Sequence, residues 1–507
     1  MGRRIRWLGV ILVLAFALVI AQLVNIQKVK APSLQESAFN PRNQAKSFDN
    51  NRGNIYASDG TLLADSVKSE AASPHEYLRQ YPQGSLYSQV VGYSSPYYGT
   101  AGIENEYDDQ LVEHTMPAQT LSQALGFNPL ETSTDNLTLT INPTLQKAAA
   151  AALSQVSGVN KDAGVVAMDP STGAILADYS NPTFDPNALA NPNIAAEREV
   201  GYAYFDQKDA EGIYPGVPLA TGDAFPPGST FKVVTSTAVY NLDPALINFD
   251  FPPAGATKLP NSNVPLTNDG GTSDGGQVCG GTMVTMLPES CDPGYGLLGI
   301  ALGAPILSKQ AELFGYNTTP PIDLPKDWVA TPAFPAVSAV SPPNQAFLAY
   351  SAIGQFNVKA SALSNVLVAA GIANHGVVMR PYLVQQVSDN AGATVSTTKP
   401  AAFMTAATPQ AAASVTSLME SVVTSGTADG VGFSPSLNAA VKTGTAQTGN
   451  PQANTDDWMI GFAPASDPKV AVAVVVPLQP FGGTGAGIAG PIMKAMLNAA
   501  AGLQGGK

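Results

Sequence analysis

The chain has 507 residues, enough for about three domains, with a formal net charge of −13. Its few basic residues are scattered and form no stripe that could neutralise phosphates, which excludes nucleic-acid binding. Only 12% of residues are charged while Gly and Pro are plentiful, the composition of a large, loop-rich exported protein and not of a disordered one.

Arg3, Arg4 and Arg6 precede an apolar run from Trp7 to Ala21, which continues to Ile26 and so reaches about the span of a bilayer. This predicts a single N-terminal transmembrane helix over 1–26, with the N-terminus cytoplasmic and the bulk of the chain outside the plasma membrane. A cleaved signal peptide is the alternative. From 27 to 140 the composition is polar and rich in turn signals such as Ala57-Ser58-Asp59-Gly60, and no titratable cluster stands out. The segment reads as a small mixed pedestal.

The third region, 141–507, opens at Asn142-Pro143-Thr144-Leu145-Gln146, a helix start ahead of an alanine-rich run to about Val156. Gly164 to Met168 and Ala174 to Ala177 then flank the turn residues Asp169-Pro170-Ser171-Thr172-Gly173, a predicted hairpin. Asn317 to Asn344 is too rich in proline for one regular element, and Leu363 to Ile372 reads as a buried helix. Trp458 to Ala463 and Val470 to Val476 are further strands, and Ile488 to Ala501 a closing helix. Strands at both ends with helices between predict an α+β domain whose antiparallel sheet is closed by its two termini.

The chemistry centres on Phe225-Pro226-Pro227-Gly228-Ser229-Thr230-Phe231-Lys232. Two prolines and a glycine deliver Ser229 to the start of an apolar segment ending at Leu242, and Lys232 lies one turn further along the same face. A lysine at the head of so apolar a helix is partly desolvated, which makes the neutral, proton-accepting amine accessible. Far downstream, Val441-Lys442-Thr443-Gly444-Thr445 reads as a strand ending at Gly444, where a missing side chain would let a ligand backbone lie against it while Lys442 offers a cation to a carboxylate. S-x-x-K followed by K-T-G is the pairing of penicillin-binding proteins and serine β-lactamases.

Further landmarks accompany this pair. Arg52-Gly53-Asn54-Ile55-Tyr56 with Asp59-Gly60, Gly102-Ile103-Glu104, Leu139-Thr140-Ile141-Asn142 with Gln146, Ala352-Ile353-Gly354-Gln355, Ala373-Asn374-His375-Gly376 and Trp458-Met459-Ile460-Gly461-Phe462 recur along the chain. With them the sequence resembles a class B penicillin-binding protein of the actinobacterial type, an exported peptidoglycan D,D-transpeptidase. The resemblance implies a penicillin-binding/β-lactamase-like transpeptidase domain, its antiparallel sheet flanked by helices, above a dimerisation-like pedestal. It also implies roles. Ser229 would be the acylated nucleophile, Lys232 its base, Ser290 a proton relay between the leaving amine and the Lys232 side of the site, and Lys442 a further member of the catalytic set. Asp292, Lys442, Thr443, Gly444 and Thr445 would bind substrate, and the N–H groups of Ser229 and Thr445 would form the oxyanion hole. The partners implied are stem peptides, β-lactams, the plasma membrane, a glycan polymerase and proteins of division or elongation. No cofactor or metal is implied, and His75, His114 and His375 match no metal-ligand spacing.

One departure stands out. The family's middle motif is S-x-N, and the best match is Ser290-Cys291-Asp292, where a carboxylate replaces an amide donor. Ser273-Asp274-Gly275 is a rival match. An Asp beside Lys232 would favour the ammonium and oppose the base. Two readings therefore stand beside the transpeptidase: a catalytically impaired penicillin-binding scaffold, and a β-lactam-hydrolysing or carboxypeptidase relative. Cys279 and Cys291 would form one disulfide or pack as two small buried thiols.

Overall fold

A computed structural model describes residues 2–24, 50–69, 75–115, 120–124, 131–155, 161–191, 193–209, 212–268, 276–448, 455–480 and 482–505. The rival motif Ser273-Asp274-Gly275 lies outside the described residues.

The N-terminal helix Gly2–Val24 is 23 residues long. Its side chains from Leu12 to Ile20 are all exposed. Among the described residues no helix is long and apolar enough to cross a membrane, and within this helix the described side chains are continuous only over those nine positions.

The pedestal is built on a six-stranded sheet running, edge to edge, Thr394–Thr397, Val384–Asp389, Asp135–Leu139, Ile55–Tyr56, Leu62–Lys68 and Tyr77–Gln80. Ile55–Tyr56 lies parallel to Asp135–Leu139 and the other pairs are antiparallel. Two of its strands arrive from nearly 250 residues downstream of the Asp135–Leu139 strand, since Val387 pairs with Leu137. The pedestal holds a buried ion cluster whose role is structural. Arg52 and Arg79 converge on Glu104, which is wholly buried, at 2.9 and 2.6 Å, and Arg52 also reaches Asp108 at 2.7 Å. Burial pushes the Glu104 carboxyl up, but Arg79 and Arg52 outweigh it and hold the carboxyl below its ordinary value.

The five-stranded sheet has the order Ile175–Asn181, Ala163–Met168, Val470–Gln479, Thr455–Ala463, Ala440–Gln447, antiparallel throughout, so strands from the two ends of the region meet in one sheet where Val470–Gln479 pairs with Ala163–Met168, as predicted. Val470 to Val476 is an unbroken apolar run because both of its faces are covered. Helices Gly485–Gly505 and Pro143–Ser154 pack on one face and Ala362–Ala373 on the other. Ala362–Ala373 is buried at every position and starts with a capping box between Ser361 and Ser364, which satisfies donors that burial would otherwise strand. The proline-rich stretch holds only a short 3-10 turn, Lys326–Trp328, and the one-turn helix Val337–Val340. Cys279 and Cys291 are joined in a disulfide, Cα to Cα 5.6 Å.

Candidate active site

Ser229 sits in a 3-10 turn, Gly228–Phe231, that leads directly into the helix Lys232–Leu242. The turn is held from three sides. Gly228 takes φ +52, a conformation that side chains oppose, and its N–H donates to the Gly354 carbonyl at 3.0 Å. Trp458 Nε1 donates to the Pro226 carbonyl at 2.8 Å. Thr230 Oγ1 donates to the Pro227 carbonyl at 2.8 Å and accepts from Asn365 Nδ2 at 3.2 Å. Behind it, Phe231 stacks on Phe334 at 5.6 Å and meets Tyr316 edge-on at 5.3 Å. Each of these contacts leaves the loop fewer ways to move.

Lys232 is fully buried, and its Nζ donates to Ser229 Oγ at 2.9 Å, as the one-turn spacing predicts. It also reaches the Ser290 carbonyl at 2.7 Å, Ser290 Oγ at 3.2 Å and Asp292 Oδ1 at 2.6 Å. The ring of Tyr295 lies 5.5 Å away. Ser290 can offer both its carbonyl and its hydroxyl because it adopts φ +55, a strained conformation for a non-glycine residue. From the other side Lys442 Nζ donates to Ser290 Oγ at 2.9 Å. The Ser290 hydroxyl thus bridges two lysines.

These groups border a cleft lined by Ser229, Ser290, Asp292, Thr443, Thr445, Thr427 and others. Lys442 is fully buried, and its Nζ also donates to the Thr443 carbonyl at 2.9 Å. The strand does not end at Gly444, since Ala440–Gln447 continues three residues further. Nor is the space at Gly444 for a ligand. A Cβ there would lie 2.8 Å from the Pro227 carbonyl oxygen and 2.9 Å from Thr230 Cγ2, so the missing side chain admits the serine loop itself. Thr445, on the opposite face, accepts from the Gly485 N–H at 3.1 Å.

Sequence reasoning missed several contributors. Asn268 Oδ1 accepts from the Asp292 N–H at 3.0 Å and so fixes the start of helix Asp292–Leu302. Thr427 Oγ1 lies 2.6 Å from Thr443 Oγ1. Gln277 and Glu289 line the cleft. None belongs to a motif, and a Glu next to Ser290 was the one hint in plain view. Cys291, between Ser290 and Asp292, is tied by its disulfide to the Cys279–Gly281 strand, which anchors the middle of this loop. Among the described residues no group of three or more His, Cys, Asp or Glu side chains could hold a metal ion.

A buried amine on a serine at a helix start, facing a K-T-G strand across a cleft, defines the serine acyl-transferases that penicillin acylates. The chain belongs to the penicillin-binding protein transpeptidases: residues 163–498 match the penicillin binding protein transpeptidase domain, and residues 52–139 the penicillin binding protein A dimerisation domain. It is 35% identical over 508 residues to the peptidoglycan D,D-transpeptidase PbpA of Mycolicibacterium smegmatis, covering 99% of each chain. The PbpA of Mycobacterium tuberculosis is likewise 35% identical, over 96% of this chain and 97% of the relative. The fold is similar to that of penicillin-binding protein A from M. tuberculosis solved as an imipenem acyl-enzyme complex, with a TM-score of 0.76, 33% identity and coverage of 90% of this chain and 100% of that one.

Proposed function

We propose that the protein is a peptidoglycan D,D-transpeptidase that cross-links stem peptides through an acyl-enzyme on Ser229. The observation that carries this reading is the 2.9 Å contact of the buried Lys232 amine with a hydroxyl that lines the cleft. Lys232 takes the Ser229 proton as Oγ attacks the carbonyl between two terminal D-alanines. The C–N bond breaks, the departing amine receives a proton through Ser290, and D-alanine leaves. An amine of a second stem peptide then attacks the ester, the new C–N bond forms as the C–Oγ bond breaks, and the proton lost by that amine returns to Ser229 Oγ.

The N–H groups of Ser229 and Thr445 hold the developing oxyanion, a contribution of about 3 kcal/mol when one such donor is removed elsewhere. Thr443 and Thr445 receive the substrate carboxylate at the cleft surface, with Lys442 supplying positive charge from behind them. Gly444 serves by letting the serine loop close on the strand. A β-lactam enters as a mimic of the D-alanyl-D-alanine unit and stays as an adduct, in keeping with the acyl-enzyme complexes of the relatives.

The 27–140 segment serves as the pedestal, its sheet completed by Val384–Asp389 and Thr394–Thr397, and the rest of 141–507 as the catalytic domain. The helix at 2–24 anchors the chain in the plasma membrane, catalytic domain outside. What supports the anchor is the run from Trp7 onward in the sequence and the exposure of every side chain from Leu12 to Ile20. A glycan polymerase and proteins of division or elongation would work beside it. Intact-mass analysis after penicillin exposure tests the central claim: wild type gains one drug mass, Ser229→Ala gains none, and an adduct that persists in Ser229→Ala would refute it.

A further inference from the structure

Thr427 lies in the turn that follows the helix Pro409–Ser425, fifteen residues before the K-T-G lysine and in none of the motifs. Its side chain is exposed and lines the cleft. The turn is pinned beneath it: the Thr427 N–H donates to the Pro288 carbonyl at 3.0 Å, and a Cβ on Gly426 would lie 2.6 Å from that same oxygen. Thr427 is therefore fixed to the loop that carries Ser290, while its hydroxyl meets Thr443 Oγ1 on the facing strand at 2.6 Å. It spans the cleft floor.

The two hydroxyls carry two hydrogens, and one of them is used between the pair. Thr443 Oγ1 also lies 3.4 Å from Lys442 Nζ, which can only donate. One hydroxyl hydrogen is left over, and no acceptor among the described residues takes it. Whichever way the pair is oriented, it offers that hydrogen to an acceptor in the cleft, beside a buried lysine. An anionic oxygen suits both features.

We propose that Thr427 is a positioning residue for the ligand carboxylate, acting by fixing the hydroxyl of Thr443. The inference rests on the transpeptidase reading of this cleft. Without the Thr427 hydroxyl, Thr443 turns freely and spends part of its time donating elsewhere. The loss falls on binding of the carboxylate and leaves the bond-making step alone, because among the described residues no hydrogen bond joins the Thr427 side chain to Ser229, Lys232 or Ser290.

The test uses penicillin G and its methyl ester with the full-length protein. In the Ser229→Ala background, which cannot be acylated, Thr427→Val weakens equilibrium binding of penicillin G about fivefold to tenfold and leaves binding of the ester unchanged. Thr427→Ser restores binding. With Ser229 present, stopped-flow acylation by penicillin G shows the same rise in the encounter dissociation constant and a maximal rate within about twofold of wild type. Equal binding by the Thr427→Val and parent proteins overturns the proposal, as does a Thr427→Ser variant no better than Thr427→Val, or equal losses for acid and ester. If Ser229 forms no adduct while the Ser229→Ala binding series behaves as stated, the transpeptidase reading fails and the role of Thr427 in holding the carboxylate stands.

Discussion

Lys232 and Asp292 form a salt bridge of 2.6 Å, closer than the 2.9 Å between Lys232 and the Ser229 hydroxyl it is to deprotonate. The carboxylate favours the ammonium, yet acylation needs the free amine. Asp292→Asn removes that preference while keeping the shape and adding an amide donor toward the cleft. The variant is expected to acylate at least as fast as wild type at neutral pH. Rates of β-lactam acylation across pH 5 to 9 check this. A large fall in the neutral rate would sink the idea; labelling of the variant alone would instead mark wild type as an impaired scaffold.

Gly444 makes a second, independent claim on the same loop. Alanine there places a methyl 2.8 Å from the Pro227 oxygen and 2.9 Å from Thr230 Cγ2, and one is backbone and the other a buried side chain, so the serine turn must retreat from the strand. Overpacking of this kind costs about 1–3 kcal/mol, but the effect on rate exceeds the effect on stability, because a shift of about 1 Å in a reacting group can cost 10²-fold. Gly444→Ala is expected to lose at least tenfold in acylation with only a modest fall in melting temperature. An unaltered acylation rate would mean the turn does not depend on this contact.

How much of this was open to a reader of the chain depends on how far apart the partners are. Ser229 and Lys232 are three residues apart, so helical spacing alone brings Nζ to Oγ, and the strands around the K-T-G motif follow from apolar runs bounded by turns. The occupant of the space at Gly444 could not be read. Glycine announces a close approach, but the object approaching, the loop at Pro227, lies more than two hundred residues away. Thr427 escaped for the same reason, since only the docking of its turn on Pro288 brings it opposite Thr443. In the pedestal, Arg52 and Glu104 looked like isolated landmarks, and only the fold shows them as one buried ion cluster with Arg79.

That cluster carries its own prediction. Glu104 is the single wholly buried acceptor between two largely buried guanidinium groups, so Glu104→Gln leaves two cations in the pedestal core with only the half-exposed Asp108 to answer them. Removing one partner of a buried pair costs about 3–5 kcal/mol. Urea unfolding of the full chain should show an early transition in the variant, while penicillin still labels Ser229 in the native state. A variant as stable as wild type would show the cluster to be dispensable.

Asp178 makes the most direct prediction about pH. It lies on the Ile175–Asn181 edge strand, fully buried, and its backbone is bracketed by Gln146, which donates to the Asp178 carbonyl at 2.7 Å and accepts from its N–H at 3.0 Å. Neither carboxylate oxygen has a hydrogen-bond partner among the described residues. Burial pushes the carboxyl up from 3.8 to about 7. The folded chain therefore keeps this proton over a range in which the unfolded chain has released it, so the stability it permits is full below about pH 4, falls as pH rises, and is lost by the time pH passes 7. The gap between the two values corresponds to about 4 kcal/mol at the alkaline plateau. Asparagine is neutral throughout and nearly the same shape. Asp178→Asn is thus expected to match wild type in melting temperature near pH 4 and to exceed it progressively up to pH 8. Parallel melting curves at all pH values would mean that a counter-charge or bound water already stabilises the ionised carboxylate.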